Sequence, residues 1–95
     1  MATIDIRRPH SLPKEEAKKR AEALATELQA KLDLQWRWEG DHIRFEATSG
    51  AAKGTTGTVE VTDSVVRVQV DLPFLLRVLK GKIESKVNEK LDNLL

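Results

Sequence analysis

The stretch LQWRWEGDHIRFEA, Leu34–Ala47, decides the fold. Before it, apolar residues recur at steps of three and four; inside it the period drops to two. Leu34, Trp36 and Trp38 alternate with Gln35, Arg37 and Glu39, and Gly40-Asp41 supplies a turn. Ile43, Phe45 and Ala47 then alternate with Arg44 and Glu46. The pattern predicts a β-hairpin with one buried and one solvated face. Trp36 and Trp38 fall on the buried side and read as core, where truncating either costs about 3–5 kcal/mol if it is fully buried. Slipping the register by one residue turns the whole strand inside out.

Upstream, Thr3 to Arg7 alternates with Ile4 and Ile6 on one face and reads as a short strand. Pro9-His10-Ser11-Leu12-Pro13 stops it, and Ser11 followed by Pro13 signals a helix start. Glu15 and Glu16 suit the positive end of the helix dipole. Ala17, Ala21, Leu24, Leu28 and Leu32 form its apolar stripe, with alanine allowing close approach in the first half. The interleaved lysines and glutamates opposite read as a solvated face.

Downstream, SGAAKGTTG (Ser49–Gly57) reads as a mobile hairpin connection. Lys53-Gly54-Thr55 has the wrong order for a phosphate loop, and a strand follows it rather than a helix. Thr58–Thr62 and Val65–Asp71 alternate about Asp63-Ser64, with Val59, Val61, Val66, Val68 and Val70 inward. The last quarter then returns to helical spacing. Leu72, Leu75, Leu76, Leu79, Ile83, Val87, Leu91 and Leu94 predict one continuous helix, with Asp71 as cap and Pro73 in the first turn. Phe74 and Val78 lie off this stripe, so the first two turns are apolar nearly all round. Either a loop or strand end covers them, or they form a contact patch with Leu75 beside them and Arg77 and Lys80 at the rim.

The order is β-α-β-β-β-β-α, one α+β domain over residues 1–95. A four-strand antiparallel meander carries the first strand at an edge, and both helices cover its single apolar face. The last helix is expected across the sheet, gripped by its curvature, in a small helix-grip-like arrangement.

Charged residues make up 33% of the chain, but its net charge is only +1, so no overall field favours nucleic acid or an anionic membrane. Without cysteine there is no disulfide, thiolate nucleophile or cysteine-ligated zinc. The polar start MATIDIRR is no secretory signal, and no stretch approaches the roughly 20 apolar residues of a membrane span. A cytoplasmic protein is expected.

Catalysis needs a positioned acid, base, nucleophile or metal. His10 and His42 read as turn residues, and neither has a second ligand at metal spacing. Asp5, Arg7, Arg8 and His10 could form a polar cluster near the first helix N-terminus, where an anion could bind. No enzyme, metal site or cofactor is expected.

Three stretches carry a resemblance. They are Ile4-Asp5-Ile6-Arg7-Arg8-Pro9-His10-Ser11-Leu12-Pro13, then Trp38-Glu39-Gly40-Asp41 continuing through Ile43-Arg44-Phe45-Glu46, and Leu72-Pro73-Phe74-Leu75-Leu76 followed by Lys80-Gly81-Lys82-Ile83-Glu84. Together they resemble the polyhydroxyalkanoic acid system family, small proteobacterial proteins often encoded beside polyhydroxyalkanoate synthesis genes. The resemblance implies a role around storage-polyester granules and brings no catalytic motif.

The expected function is therefore a non-enzymatic accessory protein, touching a polyhydroxyalkanoate granule or a granule-associated protein through Phe74, Leu75, Arg77 and Val78. The alternative is a carrier or regulator holding a small apolar ligand between helices and sheet. The same patch could also pair two copies in a homodimer.

Overall fold

The chain runs β1 (Ile4–Pro9), α1 (Lys14–Leu32), β2 (Gln35–Glu39), β3 (His42–Glu46), β4 (Thr56–Val61) and β5 (Val65–Asp71). A 3-10 helix (Phe74–Leu79) and α2 (Lys80–Leu94) complete it. This computed structural model describes residues 3–50 and 52–95. Met1, Ala2, Ala51 of the glycine-rich loop and the Leu32 side chain assigned to the first helical stripe lie outside the described residues.

The strands form one antiparallel sheet in the order β1-β5-β4-β3-β2, with β1 on the edge beside β5. The α+β order read from the sequence is the observed one. Alternation sorts the faces: Ile43 and Phe45 are buried while Arg44 and Glu46 are exposed. Phe45 stands opposite Gly57. A Cβ at Gly57 would fall 2.4 Å from a Phe45 ring carbon and 2.4 Å from the Gln69 carbonyl oxygen. Only glycine lets that ring lie across β4.

Three local expectations change. The β3–β4 connection, read only as a mobile link, carries backbone hydrogen bonds at its base: the Ala47 N–H donates to the Thr55 carbonyl and the Gly54 N–H to the Ala47 carbonyl, both at 2.8 Å. Ala52 and Thr55 within it are buried. Trp36 and Trp38 are half-buried rather than core. Their strand is a sheet edge with a neighbour on one side only, and their indole N–H groups donate to Gln29 Oε1 at 3.1 Å and Glu22 Oε1 at 3.2 Å of α1. Such amphipathic placement lets the ring cover core while its N–H finds a partner near water. Helix α1 starts without a side-chain cap: Pro13, not Ser11, holds the N-terminal position, with extended backbone.

Ala17, Ala21, Leu24, Ala25 and Leu28 bury one side of α1 over β4, β3 and β2. Asp33 in the left-handed region (φ 53°) ends the helix and returns its N–H to the Gln29 carbonyl. Since α1 occupies the middle strands, α2 lies beside it over β1 instead of across the sheet. Val87 and Leu91 are buried there, and Lys90 pairs with Glu27 of α1 at 2.8 Å.

The C-terminal stretch is not one continuous helix. Asp71 ends β5 and Leu72 is buried, so Asp71 caps nothing. Pro73 stands before the 3-10 helix with extended backbone (ψ 156°). The Leu76 N–H reaches the Pro73 carbonyl at 2.8 Å, and the Lys80 N–H returns to that of Arg77. A 3-10 helix turns about 120° per residue against about 100° for an α-helix, so six residues drift by roughly 120°. The stripe read through Leu75 and Leu79 therefore loses its register with Ile83, Val87 and Leu91.

Candidate functional site: an exposed apolar segment

The 3-10 helix buries none of its six side chains. Phe74 is 80% exposed, Leu75 82% and Val78 86%, and Leu79 is also exposed. No loop or strand end covers Phe74 and Val78 among the described residues. In a 3-10 helix side chains three apart eclipse one another. Val78 accordingly stacks in line with Leu75, Arg77 with Phe74, and Leu79 with Leu76, whose side chain alone of the six packs against the core. The helix makes its main contacts with α2. Among the described residues, and apart from Leu95, the exposed large apolar side chains all belong to this segment. Such clustering on one element, unlike scattered surface hydrophobes, makes the segment a candidate contact surface.

The second expected constellation, the polar cluster, does not assemble. Strand alternation sends its members to different places. Asp5 and Arg7 point to the uncovered face of the sheet, where Asp5 takes Arg67 in a two-point ion pair at 2.8 and 3.1 Å. That guanidinium holds the Asp5 carboxyl below the usual aspartate range. Arg8 follows Ile4 and Ile6 on the helix side, and its guanidinium donates to Asp92 and, at 3.1 Å, to Asn88 Oδ1. It clasps α2 to the edge strand instead of facing an anion. His10 Nε2 donates to the Thr62 carbonyl at 2.9 Å, while Nδ1 accepts the Leu12 N–H at 3.2 Å. Both ring nitrogens are thus engaged in fixing the β4–β5 turn to the start of α1. His42 opens β3 rather than lying in a turn, with Nε2 3.6 Å from Glu39 Oε1.

Other ionised groups make similar surface pairs. Lys14 and Lys18 bracket Asp41 at 3.0 and 3.1 Å and lower its pKa. Arg37 lowers that of Glu39 through a 2.9 Å bond. Among the described residues no group of three or more His, Cys, Asp or Glu is placed to hold a metal ion. A half-open pocket of ≈ 230 Å³ is lined by Gln35, Trp36, Arg37, Arg44, Phe45 and Glu46, all from β2 and β3. It does not lie between helices and sheet, where Leu24, Ile43, Phe45, Val59 and Val68 are fully buried.

The family described as polyhydroxyalkanoic acid system proteins matches residues 4–95. The chain belongs to that family. No curated protein matches it. In this member of the polyhydroxyalkanoic acid system family, each of the three stretches that carry the resemblance supplies structural residues. The opening one supplies the inward Ile4 and Ile6, the Arg8 clasp and the His10 tie. The hairpin one supplies the Gly40 turn (φ 65°) and the buried Ile43 and Phe45. The third supplies the buried Leu72 and the core-packed Leu76 and Ile83, but it also holds Phe74 and Leu75, which stand exposed.

Proposed function

We propose that the protein is a non-enzymatic accessory of the polyhydroxyalkanoate storage system, working in the cytoplasm and attaching to the granule surface through Phe74, Leu75 and Val78. The observation that carries this reading is the exposure of those three side chains on an element that contributes little to the core. Family membership supplies the setting. The hold of backbone groups on both ring nitrogens of His10 favours a binding role over catalysis there. A polyester surface is broad and apolar, which suits a protruding segment better than a closed pocket.

Co-sedimentation with isolated polyester granules tests it, comparing wild type with the Phe74→Asp, Val78→Asp double variant. Circular dichroism confirms that the variant is folded. Wild type is expected in the granule pellet and the variant in the supernatant. A folded wild type that stays in solution overturns direct attachment and points to a protein intermediary. Equal pelleting of both proteins overturns the assignment of the segment.

A further inference from the structure

The apolar segment lies in a concentration of positive charge that the whole-chain balance hides. From Leu72 to Asn88 the chain carries Arg77, Lys80, Lys82 and Lys86 against one acid, Glu84, a net of +3, with the exposed acids Asp71 and Glu89 flanking the stretch on either side. The complete chain is +1, which leaves −2 for everything else. All four cations are exposed. Lys53 adds another, exposed on the loop whose Gly54 abuts Pro73. Elsewhere the cations are largely paired: Arg8, Lys14, Lys18, Arg20, Arg37, Arg67 and Lys90 each reach a carboxylate within 3.2 Å. None of the five around the segment forms an ion pair among the described residues.

A neutral polyester has no use for unpaired lysines. An apolar segment edged by cations is instead the composition that inserts into a charged lipid boundary, with aromatic and leucine side chains among the acyl chains and lysine stems reaching headgroup phosphates. We infer that the segment from Phe74 to Lys86 is an interfacial anchor for anionic phospholipid, with Phe74, Leu75 and Val78 inserting and Arg77, Lys80, Lys82 and Lys86 meeting the phosphates. The inference rests on the proposed granule attachment and names anionic phospholipid as the chemistry the segment would meet at the granule surface. No helix among the described residues is long and apolar enough to cross a membrane, so attachment would be from one side.

The test uses sedimentation of full-length protein with two kinds of vesicle: pure phosphatidylcholine, and an equimolar mixture with phosphatidylglycerol. Binding to the mixture is expected, with little to phosphatidylcholine alone, and it should weaken as salt is raised. Each cation removed should lower the partition coefficient by about 5-fold. The Lys80→Gln, Lys82→Gln, Lys86→Gln variant should therefore lose about 100-fold while unfolding at the wild-type temperature. Equal binding to both vesicles, or full binding by the triple variant, overturns the inference. So does failure of folded wild type to bind anionic vesicles while it still pellets with granules, an outcome that leaves granule attachment intact. Binding to anionic vesicles without granule binding has the opposite meaning: the anchor stands and the granule is not its target.

Discussion

Helix α1 and the segment from Leu72 to Leu79 carry the same kind of sequence signal and meet opposite fates. Both repeat apolar residues at steps of three and four. In α1, Leu24 is completely buried; in the 3-10 helix, Leu75 is 82% exposed. The difference lies in what faces each stripe. Helix α1 has β2, β3 and β4 beneath it, whereas the 3-10 helix has chiefly the start of α2 beside it. A hydrophobic repeat specifies which side chains share a face; whether that face is buried depends on an opposing surface. The 3-10 helix has no such surface over its outer side and leaves Leu75 and Leu79 in water.

The largest expected effect tests the buried half of this comparison. Leu24→Ala removes a fully enclosed side chain and should cost about 2–5 kcal/mol, read from the urea midpoint at unchanged slope. Next comes Gly57→Ala, where a methyl would meet both the Phe45 ring and the Gln69 carbonyl. Overpacking of this kind costs about 1–3 kcal/mol. Shortening the ring with Phe45→Leu should not restore stability, because the Gln69 carbonyl is backbone and remains in place. Full rescue in the double variant would show that the ring alone requires the glycine.

Trp38→Ala sits between the two extremes. Its ring is half-buried and its N–H is held by Glu22, so roughly 2 kcal/mol is expected, about half the value for an enclosed tryptophan. A cost at the full core value would mean that the sheet edge is better covered than it looks.

A smaller effect is expected at Asp5, and its sign depends on pH. The Arg67 pair lowers the Asp5 pKa in the folded state. Its stabilisation is therefore fully present above the pKa of an unfolded aspartate and disappears as pH falls through the lower folded value. Asp5→Asn should be slightly less stable than wild type at neutral pH, and the two should converge in strong acid. Thermal unfolding of both proteins across that range checks it; a constant gap would assign the effect to something other than ionisation. Salt should shrink the gap at neutral pH, because the pair is partly exposed.

Much of the fold could be read from periodicity. Alternation through Ile43, Phe45, Val59, Val61, Val66, Val68 and Val70 gave the faces of the central strands, and Gly40-Asp41 and Asp63-Ser64 gave their turns. What periodicity lacks is neighbours. It marked Trp36 and Trp38 as inward but could not see that β2 has nothing beyond it. It grouped Arg7, Arg8 and His10 by proximity in the chain, although strand alternation sends Arg8 to α2 and Arg7 to the open face. The charge around Phe74 was legible and was missed because the balance was taken over the whole chain. A local window over Leu72–Asn88 shows it directly. The 3-10 winding was not legible, since apolar residues at steps of three and four do not separate it from an α-helix.

The smallest expected effect completes the comparison with α1. Leu75→Ser replaces a leucine of the same nominal stripe as the core leucines, yet it removes almost no buried surface. Stability should stay within about 0.5 kcal/mol of wild type, the ordinary range for an exposed position. A slight gain is consistent, because an exposed leucine contributes nothing to the core. Combining Leu75→Ser with Leu24→Ala should give the Leu24→Ala value unchanged, as expected for sites with no shared neighbour. A loss above roughly 2 kcal/mol for Leu75→Ser alone would require burial in solution. The surface that buries it would then have to be another molecule, and the loss would vary with protein concentration if that molecule were a second copy. A concentration-independent loss would instead return Leu75 to the core and remove the segment as a contact surface. Near-zero cost, together with lost binding, would separate the two regions by role: α1 and the sheet hold the fold, and the 3-10 helix is held out from it.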